Sequence, residues 1–152
     1  MASLPATFRD ETTKIHLEHT ALMQMLDDLD FALDQLVCYS EVYANLKSID
    51  DVHRYAFRLA EHLPEHFTRE EASVLDTVAR ISPELLELAH ACKRQHDELR
   101  RDLVVFCRAL DNYDNSTDLE DALCQLKEQG TRFTAELKQH VQMEERELGG
   151  FL

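Results

Sequence analysis

Apolar residues recur along this chain in steps of three and four, and four long segments carry the pattern. The first runs through Ile15, His19, Leu22, Leu26, Leu29, Leu33 and Leu36. A seam of this kind lays one face of a helix against a bundle. Thr7 with Asp10 resembles a capping box at its start, and the pattern fades near Ser40 to Asn45. The second segment opens at Ser48 and Asp51 and carries Val52, Tyr55, Leu59 and Leu63, then His66, Glu70, Val74 and Val78. Pro64 within it predicts a bend or a split. Ser82 reads as an N-cap with Pro83 at the first position of a third helix, whose seam is Leu85, Ala89, Cys92, His96, Leu99, Leu103, Phe106 and Leu110. The polar run from Asp111 to Ser116 is expected to break that helix, and Thr117 with Glu120 offers another capping box. The fourth carries Leu119, Leu123, Leu126, Gly130, Phe133, Leu137, His140, Glu144 and Leu148, and Gly149-Gly150 stops it.

The expectation is an all-α chain with helices over about 8–39, 49–80, 83–111 and 117–148, forming one domain over 1–152. Short connections between long amphipathic helices predict an antiparallel, up-down-up-down four-helix bundle. No segment alternates with period two, so a sheet has no support. Only 3 Gly and 3 Pro in 152 residues fit long uninterrupted helices.

The second half of the chain echoes the first. His19 is followed by Leu22, Leu26 and Leu29; His96 is followed at the same offsets by Leu99, Leu103 and Phe106. His66-Phe67-Thr68-Arg69-Glu70-Glu71 matches His140-Val141-Gln142-Met143-Glu144-Glu145. Each half thus reads as a helix pair with the pattern H…HxxxE.

His19, His66, Glu70, His96, His140 and Glu144 stand where the seams call for leucine. Burying such groups without partners costs roughly 1–3 kcal/mol or more each. One shared partner for all six is the simpler account, and a metal cluster provides it. Residues four apart in HxxxE lie on one helical face. In an antiparallel bundle His19, early in its helix, meets the level of His66, late in the next, and His96 meets His140 in the same way. Imidazole and carboxylate donors without thiolate suit iron, manganese or zinc.

Charge narrows the partners. Thirty acidic residues against 16 basic ones leave a net charge of −14, which repels nucleic acid and anionic membrane surfaces. No apolar run approaches membrane-spanning length, and Met1 to Ala6 lack a signal-peptide pattern, so a cytoplasmic location is expected. Cys38, Cys92, Cys107 and Cys124 form no C-x-x-C pair; Cys92 and Cys38 read as small core residues. His62 and His16, each near a seam histidine, could add a ligand or stand behind one but are expected at the boundary near solvent, and His53 and His90 at the surface or boundary. Glu71 and Glu145 are expected in solvent, with an alternative role for either as a metal ligand or hydrogen-bonded to an imidazole N–H. Tyr55 and Tyr113 are read as packing residues.

H…HxxxE…H…HxxxE on four helices resembles the hemerythrin-like, or HHE cation-binding, domain family, over His16 to about Leu148. The resemblance implies a non-haem centre of two iron ions with an oxo or hydroxo bridge. Carried over, His19, His66, His96 and His140 would be terminal ligands and Glu70 and Glu144 bridging carboxylates. Oxygen-carrying members have a fifth histidine where this chain has Arg100. They also have a last aspartate one residue beyond the position of Glu144, where Glu145 stands. Both differences weigh against reversible oxygen carriage and fit the broader group, which includes iron sensors and proteins linked to iron-centre repair or nitric oxide stress. The first functional reading is therefore a di-iron protein that binds or senses dioxygen, nitric oxide or iron. The second is a peroxidase or oxidase-type enzyme taking peroxide, with no catalytic residue assigned. The third is a bundle whose metal serves only the fold. The ferritin-type signature needs two E-x-x-H elements, and Glu87 with His90 supplies one, off the seam. The sequence sets no oligomeric state.

Overall fold

The four predicted segments are the four rods of an antiparallel bundle in the computed structural model, which describes residues 6–38 and 45–151. Helix α1 (Ala6–Asp34) buries Ile15, His19, Leu26, Leu29 and Leu33 on one face. The second rod is α2 (Leu46–Glu70), a π-helical turn (Glu71–Leu75) and the short α3 (Asp76–Val78). Helices α4 (Pro83–Asn115) and α5 (Leu119–Leu148) complete it. Helix α1 packs on α2 and α5, and α4 packs on α5 and α2. The register of α1 against α5 is antiparallel throughout. Thr134 of α5 donates to Asp30, Gly130 faces Leu33, and the Lys127 ammonium donates to the Leu36 carbonyl at 2.8 Å. Among the described residues no helix is long and apolar enough to cross a membrane.

Several boundaries differ from the expectation, each for a local reason. Thr7 lies inside α1 rather than capping it, and Phe8 just after it is buried in the core. Residues 1–5, 39–44 and 152 lie outside the described residues, and with them all but Asn45 of the stretch from Ser40 to Asn45 where the first helix is expected to fade. Helix α1 ends at Asp34 because the Asn45 side chain takes over the Val37 backbone. Val37 N–H donates to Asn45 Oδ1 at 3.0 Å, and Asn45 Nδ2 donates to the Val37 carbonyl at 3.2 Å. Cys38 therefore falls in the loop, half-buried, instead of in the core. Its thiol beside Cys124 pushes the latter up to about 11. Helix α2 begins at Leu46, before Ser48, and stays helical through Pro64. The fully buried flanks Leu63 and Phe67 hold the rod to the core there, and the Thr68 hydroxyl donates to the Pro64 carbonyl at 2.9 Å. The irregularity lies at the π turn, where one extra residue per turn lets Val74 and Leu75 both face inward.

Ser82 caps α4 as expected, accepting from the Leu85 N–H at 3.2 Å. The polar run does not break α4. Tyr113 packs against the core while Asp111, Asn112, Asp114 and Asn115 face solvent. The cap of α5 is Asp118 rather than Thr117, its carboxylate accepting from the Asp121 N–H at 3.2 Å.

The apolar interior falls into two clusters. The larger includes Leu26, Leu33, Leu59, Phe67, Phe106, Phe133 and Leu137; the smaller includes Phe8, Ile15, Val74, Val78, Cys92 and Leu148. Between them lies a layer of buried polar groups. Phe106→Ala empties the site of a fully buried ring stacked on Phe133 and is expected to cost ~3–5 kcal/mol. Ser82→Ala, which removes only the cap, is expected to cost ~1 kcal/mol. Urea denaturation at constant slope measures both.

Candidate metal centre

Four helical faces supply the polar layer. Helix α1 contributes His19, α2 contributes His66 and Glu70, α4 contributes His96, and α5 contributes His140 and Glu144. All six are buried, and both carboxylates are completely so. Every imidazole turns its Nε2 toward the carboxylates. Glu70 lies 3.7 Å from His19 Nε2, 3.6 Å from His66 Nε2 and 3.5 Å from His96 Nε2. Glu144 lies 3.4 Å from His19 Nε2, 3.2 Å from His96 Nε2 and 2.9 Å from His140 Nε2. Two groups emerge in which the donor atoms all lie within 4.8 Å of one another: His19, His66, Glu70 and His96, His140, Glu144.

The inward atoms are the poorly satisfied ones. Among the described residues, the Nε2 atoms of His19, His66 and His140, both oxygens of Glu70 and one of Glu144 are buried without a hydrogen-bond partner. Native interiors tolerate few such groups, and here they converge on one place. A cation suits them, since all can offer a lone pair.

The outward atoms are the reverse case. Each Nδ1 has an oxygen partner: Glu145 for His19 at 2.7 Å, Glu18 for His66 at 2.6 Å, Glu71 for His96 at 2.9 Å, and Gln95 for His140 at 2.6 Å. A carboxylate only accepts, so for His19 and His66 it holds the proton on Nδ1 and leaves the Nε2 lone pair facing inward, whereas His96 has a carboxylate at both ring nitrogens, Glu71 and, at 3.2 Å, Glu144. The form protonated on Nδ1 is the tautomer a metal ligand needs. The sequence pointed to Glu71 and Glu145 as candidate imidazole partners but missed Glu18 and Gln95. The available signal was their placement, since each immediately precedes a seam histidine at matched positions of the repeat.

The remaining candidates fall outside the inner layer. His16 reaches both oxygens of Glu145 at 3.1 Å and so braces the partner of His19. His62 is exposed beside Glu61, His53 pairs with Asp114 at 2.9 Å, and His90 is exposed. Arg100, where oxygen carriers would have a fifth histidine, lies 3.0 Å from both Glu71 and Asp97, with its guanidinium 5.4 Å from the Phe67 ring centre. It anchors the carboxylate that orients His96. Phe67 itself stacks on the His96 ring at 4.1 Å.

Electrostatics separates the two inner carboxyls. Burial, then the charge of Glu144 beside it, pushes Glu70 well above its ordinary value. Burial also opposes ionisation of Glu144, but the imidazoles of His140, His19 and His96 close beside it pull it well below. Burial and the neighbouring His19 charge drive His66 down to about 3. Burial works against protonation of His19 too, yet Glu144 and Glu145 raise it. Without a cation, therefore, the surroundings favour the neutral form of Glu70 and the ionised form of Glu144, and metal binding works against the first.

Compared with known protein families, residues 10–152 match the hemerythrin HHE cation binding domain, nearly the whole chain. No curated protein and no solved structure matches the chain.

The two glutamates are expected to respond oppositely to neutral replacement in metal-free protein. The stability tied to neutral Glu70 is present below its ordinary value of 4.5 and is lost as pH rises through the raised folded value. Glu70→Gln should thus gain on the native protein as pH rises. Glu144 contributes above 4.5 and loses its contribution as pH falls. Glu144→Gln should cost ~1–3 kcal/mol at neutral pH, with the cost shrinking on acidification. Thermal unfolding of metal-free samples reads the Glu70 trend between about pH 5 and 8 and the Glu144 trend below about pH 5.

Proposed function

The chain belongs to the hemerythrin HHE cation-binding domain family, and on that footing we propose that it holds a non-haem di-iron centre that binds or senses a small ligand such as dioxygen or nitric oxide. The observation that carries this reading is the position of the two carboxylates. Glu70 lies within 4 Å of histidines from both groups, and so does Glu144. A carboxylate so placed suits bridging two cations. His19 and His66 would hold one ion, His96 and His140 the other, with Glu70 and Glu144 between them.

When bound, two iron ions would supply redox change and open coordination positions for a small ligand. Four imidazoles and two carboxylates do not fill the coordination of two six-coordinate ions, and Arg100 is engaged with Glu71. The chain's own contribution is orientation, through the four Nδ1 partners, and control of access. A cleft of about 230 Å³ between α1 and α2 reaches His66 past Ala21, Leu22, Met25, Leu59 and Leu63. Glu18, His62, Glu65 and Arg69 line it too, and its apolar stretch suits a small uncharged molecule.

Elemental analysis of purified protein is expected to give two iron per chain, with a near-ultraviolet absorption that changes on titration with nitric oxide or dioxygen. Glu70→Ala and Glu144→Ala should keep the helical circular dichroism and lose the metal. A colourless protein holding only zinc would overturn iron as the metal. Iron indifferent to both gases, with chelation only lowering the melting temperature, would reduce the centre to a structural role.

A further inference from the structure

The two halves of the centre are matched in geometry and unmatched in charge. One step of the repeat carries Glu18-His19 onto Gln95-His96, and His66 through Glu71 onto His140 through Glu145. Two of the outer contacts are strict counterparts: His19 with Glu145 across α1 and α5, and His96 with Glu71 across α4 and the π turn. The other two share a distance of 2.6 Å but not a chemistry. The partner of His66 is the Glu18 carboxylate; the partner of His140 is the Gln95 amide oxygen.

We propose that this exchange makes the two metal positions unequal, with His19–His66–Glu70 the tighter position and Glu18 the positioning residue that sets the order of filling. The inference rests on the metal-centre reading above. A carboxylate behind an imidazole raises its basicity and its strength as a ligand, and hydrogen bonds to ionised groups are about twice as strong as neutral ones. An amide does less, and it can also rotate to present its own N–H to Nδ1. That would shift the imidazole proton to Nε2, where it blocks a metal. A carboxylate offers no such alternative.

The surrounding charges act in the same direction. Behind the first position stand Glu18 and Glu145, with Arg69 paired to Glu18. Behind the second stands Glu71, with Arg100 shared between it and Asp97. Two carboxylates thus touch the outer ring nitrogens of the first position, and one those of the second. The cleft over His140 does add Glu98, Asp102 and Glu136, but Arg101, Arg132 and Arg146 line it too, and the two signs offset each other.

Cobalt(II) titration of metal-free protein, followed by visible absorption and calorimetry, tests this. The native chain should fill in two steps whose affinities differ by ~10–100-fold. The tight step should survive His140→Ala and be lost in His66→Ala. Glu18→Gln should weaken the tight step and bring the two together. Gln95→Glu should strengthen the weak step, a gain that damage to the fold cannot imitate. The double exchange should reverse which histidine variant loses the tight step. Two equal steps in the native chain, or unchanged affinities in both Glu18→Gln and Gln95→Glu, would overturn the inference while leaving the metal centre in place. A chain that takes up neither cobalt nor iron overturns the metal-centre reading itself, and the inference with it.

Discussion

Two fully buried carboxylates face each other within a layer of four imidazoles, and the rest of the molecule is arranged around that juxtaposition. Like charges this close cannot both persist without water or a counter-ion. In the metal-free chain the surroundings push the two carboxyls in opposite directions, Glu144 toward the ionised form beside its imidazoles and Glu70 toward the neutral form. A pair of cations would resolve the conflict directly, satisfying the inward-facing atoms that lack hydrogen-bond partners. The free energy spent on holding these groups out of water is thereby available for metal binding, coupling the fold to its ion.

The layer needs a frame because it divides the apolar interior. The larger cluster, with Phe67, Phe106 and Phe133, clamps the rods on one side, and the smaller, with Ile15, Val78 and Leu148, closes the other. Each imidazole is then fixed at two points. Its ring is packed, as His96 is against Phe67, and its Nδ1 is tied to a neighbouring helix. Those ties run between different rods, so α1 is bound to α2 and α5, and α4 to α5 and the π turn, at the height of the site. A shift of one rod along another would break them together.

Departures from a regular bundle gather on the second rod. Pro64 is absorbed because buried neighbours on either side hold the helix in place. The π turn begins right after Glu70, while the matching stretch after Glu144 stays α-helical. The extra residue re-aims the chain from Glu71 onward, and Glu71 is the residue that reaches His96. The halves of the repeat are related in sequence without being identical in structure.

Much was legible in one dimension. Helical period is a local property, so the seams exposed the four rods and the six polar interruptions. The HxxxE spacing fixed which polar residues share a face, and the repeat fixed which belong together. The caps and the end of α1 were not legible, because side chains far along the chain compete for the same backbone groups, as Asn45 does at Val37. The outer partners were legible only in part. Glu18 and Gln95 look like ordinary solvated residues in the sequence, and whether they meet an imidazole depends on the rotation and height of two rods. That relation, like the opposite push on the protonation of Glu70 and Glu144, exists only once four helices bury their seams against one another. The sequence by itself determined what the site is made of; the packing decided which atoms face inward, which partner each imidazole has, and how charge is shared among them.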